Sequence, residues 1–328
     1  VTALLFVVSP LLASGTLGSQ SLNSMLPFCG IMALAALGQM LVIQQGGLDL
    51  SVPGMMTMAA VIVTQYPHSA NGRLAVGILI AVGVAAAVGL INGLVVTVLG
   101  ITPFVATLAM NALLLGAANQ YSQQFSTRSA PSLISFCAGK TAGIPNLALI
   151  ALGVVLVCAA LARGTVAGRR AEAVGASPAA ARAAGLRVRR HQLSAYLFAS
   201  VAYAVAGVLL AGFVQTPDLQ LGAPYQLSSI AAVVLGGTAL GGGRASIIAT
   251  AVGALFLSQL NQVVLAMGAA SSTQYLVQGA IIGVGMGMRG VRWKWLRART
   301  TDRPAKDGHG DAVGHVAQPQ VSRESSHA

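Results

Sequence analysis

LAVGILIAVGVAAAVGLINGLVVTVL, residues 74–99, runs from Leu74 to Leu99 without one charged side chain. A helix needs about 18–20 predominantly apolar residues to cross a hydrocarbon core, and this stretch exceeds that. Its polarity does not alternate, so it does not read as a strand of a membrane β-barrel. It reads as a transmembrane α-helix, and the chain repeats the pattern. Further apolar runs fall at 1–14, 22–44, 51–66, 103–121, 146–162, 192–214, 226–242, 245–267 and 272–288. With 74–99 these predict an all-α polytopic membrane protein of about ten crossings, one or two of the shorter being re-entrant.

Composition agrees. The 328 residues are 55% hydrophobic and 8% charged, with a mean hydropathy of +0.76. A soluble domain carries roughly 25% charged residues. The net charge of +12 would suggest a nucleic-acid partner if it were spread over a binding face. Instead, seven of the 19 basic residues lie between Arg163 and Arg190 and eight from Arg289 onward. Neither segment interleaves aromatics as a single-strand binding surface does, so nucleic acid is excluded as a partner. Charge segregated in this way fixes membrane orientation. With 163–191 and the tail both inside, counting back places 15–21, 67–73 and 122–145 outside. It places 45–50, 99–102 and the N-terminus inside. Arg244 also falls inside.

Residues 1–289 are therefore expected to form the membrane domain and 290–328 a disordered cytoplasmic tail. In the tail Trp293 and Trp295 read as an interfacial anchor. His309, His315 and His327 are too scattered there for a metal site. Val1 opens inside an apolar run with no initiating Met, as expected of a chain that continues upstream, and does not read as a cleaved signal peptide. Cys29, Cys137 and Cys158 show no metal-ligand spacing and no disulfide pattern. Gly89 and Gly93, and Gly279, Gly283 and Gly287, lie four apart on one helix face, the spacing that lets helices pack closely in a bundle or a dimer.

Signatures of catalysis are missing. Gly139-Lys140-Thr141 resembles the end of a phosphate loop, but Ile134 stands where the first glycine is required. No paired carboxylates fall within the apolar runs. Proton-coupled carriers hold ionisable groups at membrane depth, whereas Asp49 and Asp218 fall in loops. The chain reads as a non-enzyme without a cofactor. Neutral polar side chains are plentiful instead: Gln39, Asn92, Thr107, Asn111, Gln259 and Asn261, with Gln262, Gln274 and Gln278 beside them. Lining the bundle interior, they would form a path for an uncharged polar solute; hydrogen bonding to neighbouring helices is the structural alternative.

Two further stretches are distinctive. In Gly46-Gly47-Leu48-Asp49-Leu50-Ser51-Val52-Pro53-Gly54 the glycines break one helix, Asp49 or Ser51 can cap the next, and Pro53 suits its first turn. Gly236-Gly237-Thr238-Ala239-Leu240-Gly241-Gly242-Gly243 repeats the outline on the same side, a hint of internal duplication. In the basic loop, Ser177 is a good N-cap, Pro178 fits N1, Ala179 to Ala184 favour helix, and Gly185 is the expected residue past the end. A rod this short is marginal alone and becomes rigid by docking on something else. Glu172 and Arg182 fit a polar rim around it.

These residues resemble those of a known family. GGLDLSVPG, ITPFVATLAMNALLLG, AEAVGASPAAARAAGLRV and LSSIAAVVLGGTALGGGRASIIATAVGAL are similar, in order, to the signature segments of permease subunits of ribose-type sugar ABC importers. Branched-chain amino acid permeases, from the same superfamily, match the last block less well. The resemblance implies a bundle like that of the vitamin B12 importer's permease. It implies two permease copies forming a path, cytoplasmic ABC ATPase subunits driving it, and an extracytoplasmic solute-binding protein delivering a monosaccharide. It makes Ala179, Ala180 and their neighbours through Gly185 a coupling helix seated on the ATPase. Pro53 departs from the family pattern in the first motif.

Overall fold

A computed structural model describes residues 2–13, 15–123, 126–268, 272–273, 275–280 and 282–284. The expected tail, with Trp293, Trp295 and its histidines, lies outside them, as do Gln274 and Gly287. The chain begins with α1 (Thr2–Leu12), α2 (Ser19–Gln44) and α3 (Val52–Gln65). A 3-10 turn, Asn71–Arg73, leads into α4 (Leu74–Thr97), followed by α5 (Pro103–Ser122) and α6 (Pro131–Ala138). A small hairpin, β1 (Lys140–Thr141) and β2 (Ile144–Pro145), precedes α7 (Asn146–Gly164). Then come α8 (Val166–Ala176), α9 (Pro178–Ala183), α10 (Val188–Val214), α11 (Tyr225–Leu235) and α12 (Ile247–Ala266), with more helix at 275–280.

The helices α2, α4, α7, α10 and α12 are long and apolar enough to cross a membrane. This is a multi-pass helical membrane protein. At the centre α2 and α10 pack against each other. In α2 78% of the most apolar window is buried, against 17% in α7, so α7 turns its oil outward. Leu79, Ile91, Leu113 and Leu156 are exposed on the outer helices. Such a surface suits acyl chains, which need only that backbone polar groups be satisfied within each helix.

Close approach at the centre depends on missing side chains. A Cβ on Gly207 of α10 would overlap the Met56 carbonyl of α3, and one on Gly89 would meet the Leu197 backbone at 2.7 Å. A Cβ on Gly93 would lie 3.2 Å from Leu193. These two α4 glycines pack as their spacing suggests. Gly279 and Gly283 show no such approach: among the described residues a Cβ on either meets nothing within 4 Å.

The connections gather at two ends. At the C-terminal end of α10, Gln215 O accepts from Ser129 N–H at 2.7 Å, and Gln215 Oε1 accepts from Arg128 at 3.2 Å. There Ser69 donates to Arg128 O and Asn71 accepts from Ser132 N–H. At the N-terminal end of α10, the 45–51 loop, α8 and the glycine-rich 236–243 segment come together, as described below. Segments expected on one side of the membrane are thus bonded to one another.

Some of the expected crossings are short helices. An 11-residue helix spans about 16 Å and a 14-residue helix about 21 Å, short of a ~30 Å core; these are the lengths of α11 and α3. Ahead of α11 the chain runs non-helically along α3, where Gly222 N–H donates to Thr57 Oγ1 at 3.2 Å. Helix α3 fills the apolar run at 51–66, whereas the run at 226–242 continues past the end of α11 into non-helical chain that composition alone did not mark.

Candidate functional site

The 45–51 loop is built from its glycines. Gly46 takes φ +79°, and Gly242 in the second glycine segment takes +90°. The two segments touch: a Cβ on Gly242 would lie 3.0 Å from Gly46 N, and Gly243 N–H donates to Gln44 O at 3.1 Å. A Cβ on Gly47 would meet Tyr196 Oη at 2.5 Å. Gly236 packs instead on α12, where its Cβ would be 2.7 Å from Thr250 N, and Gly237 takes φ +88°.

Beyond the glycines lies a fully buried polar cluster. Asp49 Oδ1 accepts from Ser51 N–H at 2.8 Å and from the Ser51 hydroxyl at 2.6 Å. Asn92 of α4 donates to Ser51 Oγ at 3.2 Å. Thr107 of α5 accepts from Leu50 N–H at 2.8 Å. The expected cap of α3 is different in kind. Ser51 occupies the N-cap position but bonds no helical N–H: its hydroxyl donates to Asp49 Oδ1 and accepts from Asn92. Asn111 of α5 takes over, its Oδ1 accepting from Gly54 N–H at 2.8 Å.

The basic loop holds two helices. In α9, Ser177 Oγ accepts from Ala180 N–H at 3.3 Å and Pro178 opens the first turn. Gly185, at φ +78°, donates to Arg182 O, while Leu186 N–H donates to Ala181 O. This is the double bond pattern that closes a helix on a left-handed glycine. Ala181 is buried with Val174 and Val188 in a small cluster of their own, while Ala179, Ala180 and Arg182 are exposed. The sequence reading missed α8. Its one local signal is Thr165, whose hydroxyl accepts from Gly168 N–H at 3.1 Å.

That second helix ties the rod to both glycine segments. Gln45 donates to Ala171 O at 3.0 Å, and a Cβ on Gly175 would overlap Gln44 O. Glu172 pairs with Arg244 at 3.3 Å. The bundle's N-terminal α10 end therefore carries an exposed, capped element bonded to the loops that begin α3 and follow α11.

The six residues expected along a path fall in four separate places. Asn92, Thr107 and Asn111 pin the loop and the start of α3, as above. Gln39 accepts from Tyr203 at 3.1 Å between α2 and α10, and Gln259 donates to Ser9 of α1 at 3.1 Å. Asn261 lines a cavity of about 380 Å³ at the opposite end from α9. Gly139 to Thr141 belong to the hairpin region, whose turn is Ala142–Gly143. No group of metal-ligating side chains occurs among the described residues.

Long apolar helices, shorter apolar ones adjoining glycine-rich loops, and a polar helical pair exposed at one end define a multi-pass membrane protein of transporter type. The chain belongs to the family described as branched-chain amino acid transport system / permease component, whose model matches residues 21–284. It is 33% identical over 252 residues to the galactofuranose transporter permease protein of Escherichia coli (strain K12), covering 76% of this chain and 74% of that one. It is 32% identical over 269 residues to the ribose import permease protein of the same strain, covering 80% and 83%. With the fructose import permease protein of Bifidobacterium longum (strain NCC 2705) it shares 32% over 242 residues, covering 72% and 67%. No solved structure matches the chain significantly.

Proposed function

We propose that this chain is the permease subunit of an ABC importer for a monosaccharide. Two copies form the path through a bacterial inner membrane, both termini face the cytoplasm, and a separate ATPase supplies the energy. The observation that carries the reading is α9, a six-residue rod with both ends capped, one face buried and the other exposed. A rod that short is rigid only through its caps and what it touches. Seated on an ATPase, it would move with α8. Through Gln45, Gly175 and Glu172 that motion would reach both glycine segments, biasing the bundle between inward-open and outward-open states. An extracytoplasmic binding protein would deliver the sugar at the opposite end. The names of the relatives support a sugar rather than an amino acid.

The test is reconstitution in lipid vesicles with an ABC ATPase and a sugar-binding protein as partners. ATP-dependent accumulation of labelled D-ribose or D-galactose, uncompeted by L-leucine, is expected. Accumulation against a gradient by the permease alone, or of leucine only, overturns the reading.

A further inference from the structure

At the end of the bundle away from α9, the first half of α2, the last turn of α10, the start of α11, the second half of α12 and the 275–280 helix enclose the cavity of about 380 Å³. Pockets for small ligands start near ~300 Å³. Its walls are of two kinds. Phe28, Met32 and Leu210 are among the apolar ones, and Phe28 is braced edge-on by Phe213 with centroids 5.1 Å apart. The other kind is neutral and polar: Ser228, Ser258, Asn261, Gln262 and Gln278.

Gln278 decides what the cavity takes. It is 3% exposed, and its Oε1 has no hydrogen-bond partner among the described residues. An amide oxygen kept from water without a partner is costly, so the arrangement favours an occupant that donates a hydrogen bond. A lipid tail donates none. A charged solute would find no counter-charge among the described residues, where no Asp, Glu, Lys or Arg lines the wall. Ser228 and Ser258 spend their protons on Pro224 O and Ala254 O, at 2.7 and 2.9 Å. Their oxygens therefore remain acceptors. The side chains of Asn261 and Gln262 are half-buried and supply both donors and acceptors.

We propose that this cavity is a binding subsite within the permease for a neutral polyhydroxylated ring. Gln278 accepts from a hydroxyl, and the aromatic wall of Phe28 and Tyr275 meets the ring's C–H face. The proposal rests on the sugar-importer reading and adds the place, the residues and the exclusion of charged solutes.

The test uses the assembled permease–ATPase complex with Cys29, Cys137 and Cys158 replaced by Ala and Ser258→Cys as a reporter inside the cavity. Methyl methanethiosulfonate labels the thiol, and the rate is followed with D-ribose, D-galactose or L-leucine at tens of millimolar. One of the two sugars is expected to slow labelling at least fivefold and leucine to have no effect. Gln278→Leu is expected to raise the protecting sugar concentration about fivefold, the effect of one lost neutral hydrogen bond, with assembly of the complex checked by size-exclusion chromatography. If Gln278→Leu does not assemble, Tyr275→Ala on the rim serves for the same shift. Labelling indifferent to both sugars, or slowed by leucine alone, overturns the site. Transport is measured separately: sugar protection in a complex that moves no sugar keeps the site and defeats the importer reading, whereas sugar uptake without protection does the reverse.

Discussion

Asn111 Oδ1 accepts a hydrogen bond from Gly54 N–H at 2.8 Å, so a side chain of α5 caps the first turn of α3. Gly54 gives the room, since a Cβ there would lie 2.9 Å from the same oxygen. Asn111→Ala leaves that N–H unmatched in the interior. A loss of about 1 kcal/mol is expected, read as a lowered midpoint in thermal unfolding in detergent. Asn111→Asp, which keeps the acceptor oxygen, is expected to lose less than Asn111→Ala. Equal midpoints for Asn111→Ala and the parent would remove the cap from the account.

Gln39 and Tyr203 join the two central helices through a bond of 3.1 Å, both side chains fully buried. Tyr203→Phe strands the Gln39 amide and should cost about 1–3 kcal/mol. Adding Gln39→Leu removes the stranded group, so the double variant is expected to be more stable than Tyr203→Phe alone. A double-mutant cycle in which the two losses simply add would refute the pairing.

Gly207→Ala tests the close crossing of α10 and α3. The added methyl overlaps the Met56 carbonyl, a backbone atom that cannot swing aside. Separation of the helices should cost about 1–3 kcal/mol. Gly153→Ala in α7, where a Cβ meets nothing within 4 Å, is the control and should unfold with the parent.

What could be read from the sequence was local. Ser177, Pro178 and Gly185 lie within nine positions of one another, and their roles as cap, first turn and left-handed closure are those the structure uses. The Asn111–Gly54 bond joins residues 57 apart, and nothing near either one announces it. Ser51 has the chemistry of a cap, but its oxygen accepts from Asn92, 41 residues away, and from no helical N–H. Hydropathy located the long helices yet could not show that α11 starts at Tyr225 and stops at Leu235, because burial and not helicity sets composition there. The amide of Gln278 stood out as polar in an oily run, but that its Oε1 has no partner among the described residues appears only in three dimensions.

The rod α9 gives the prediction that separates folding from docking. Ser177→Ala removes one cap and should cost about 1 kcal/mol locally. Gly185→Val forces a β-branched residue into φ +78° and should fray the C-terminal turn. Both act on the rod itself, and neither touches the core around α2 and α10. Arg182→Glu, by contrast, changes an exposed charge and no buried contact, so the chain's own stability is expected to stay within about 0.5 kcal/mol. If the exposed face is where an ATPase sits, Arg182→Glu should nonetheless reduce co-purification of that subunit and ATP-driven uptake together. The paired Ser177→Ala and Gly185→Val variant should do the same with only a small shift of the global unfolding midpoint. Full co-purification and undiminished uptake in both would show that α9 is only a turn between α8 and α10, and the docking role would have to pass to another surface.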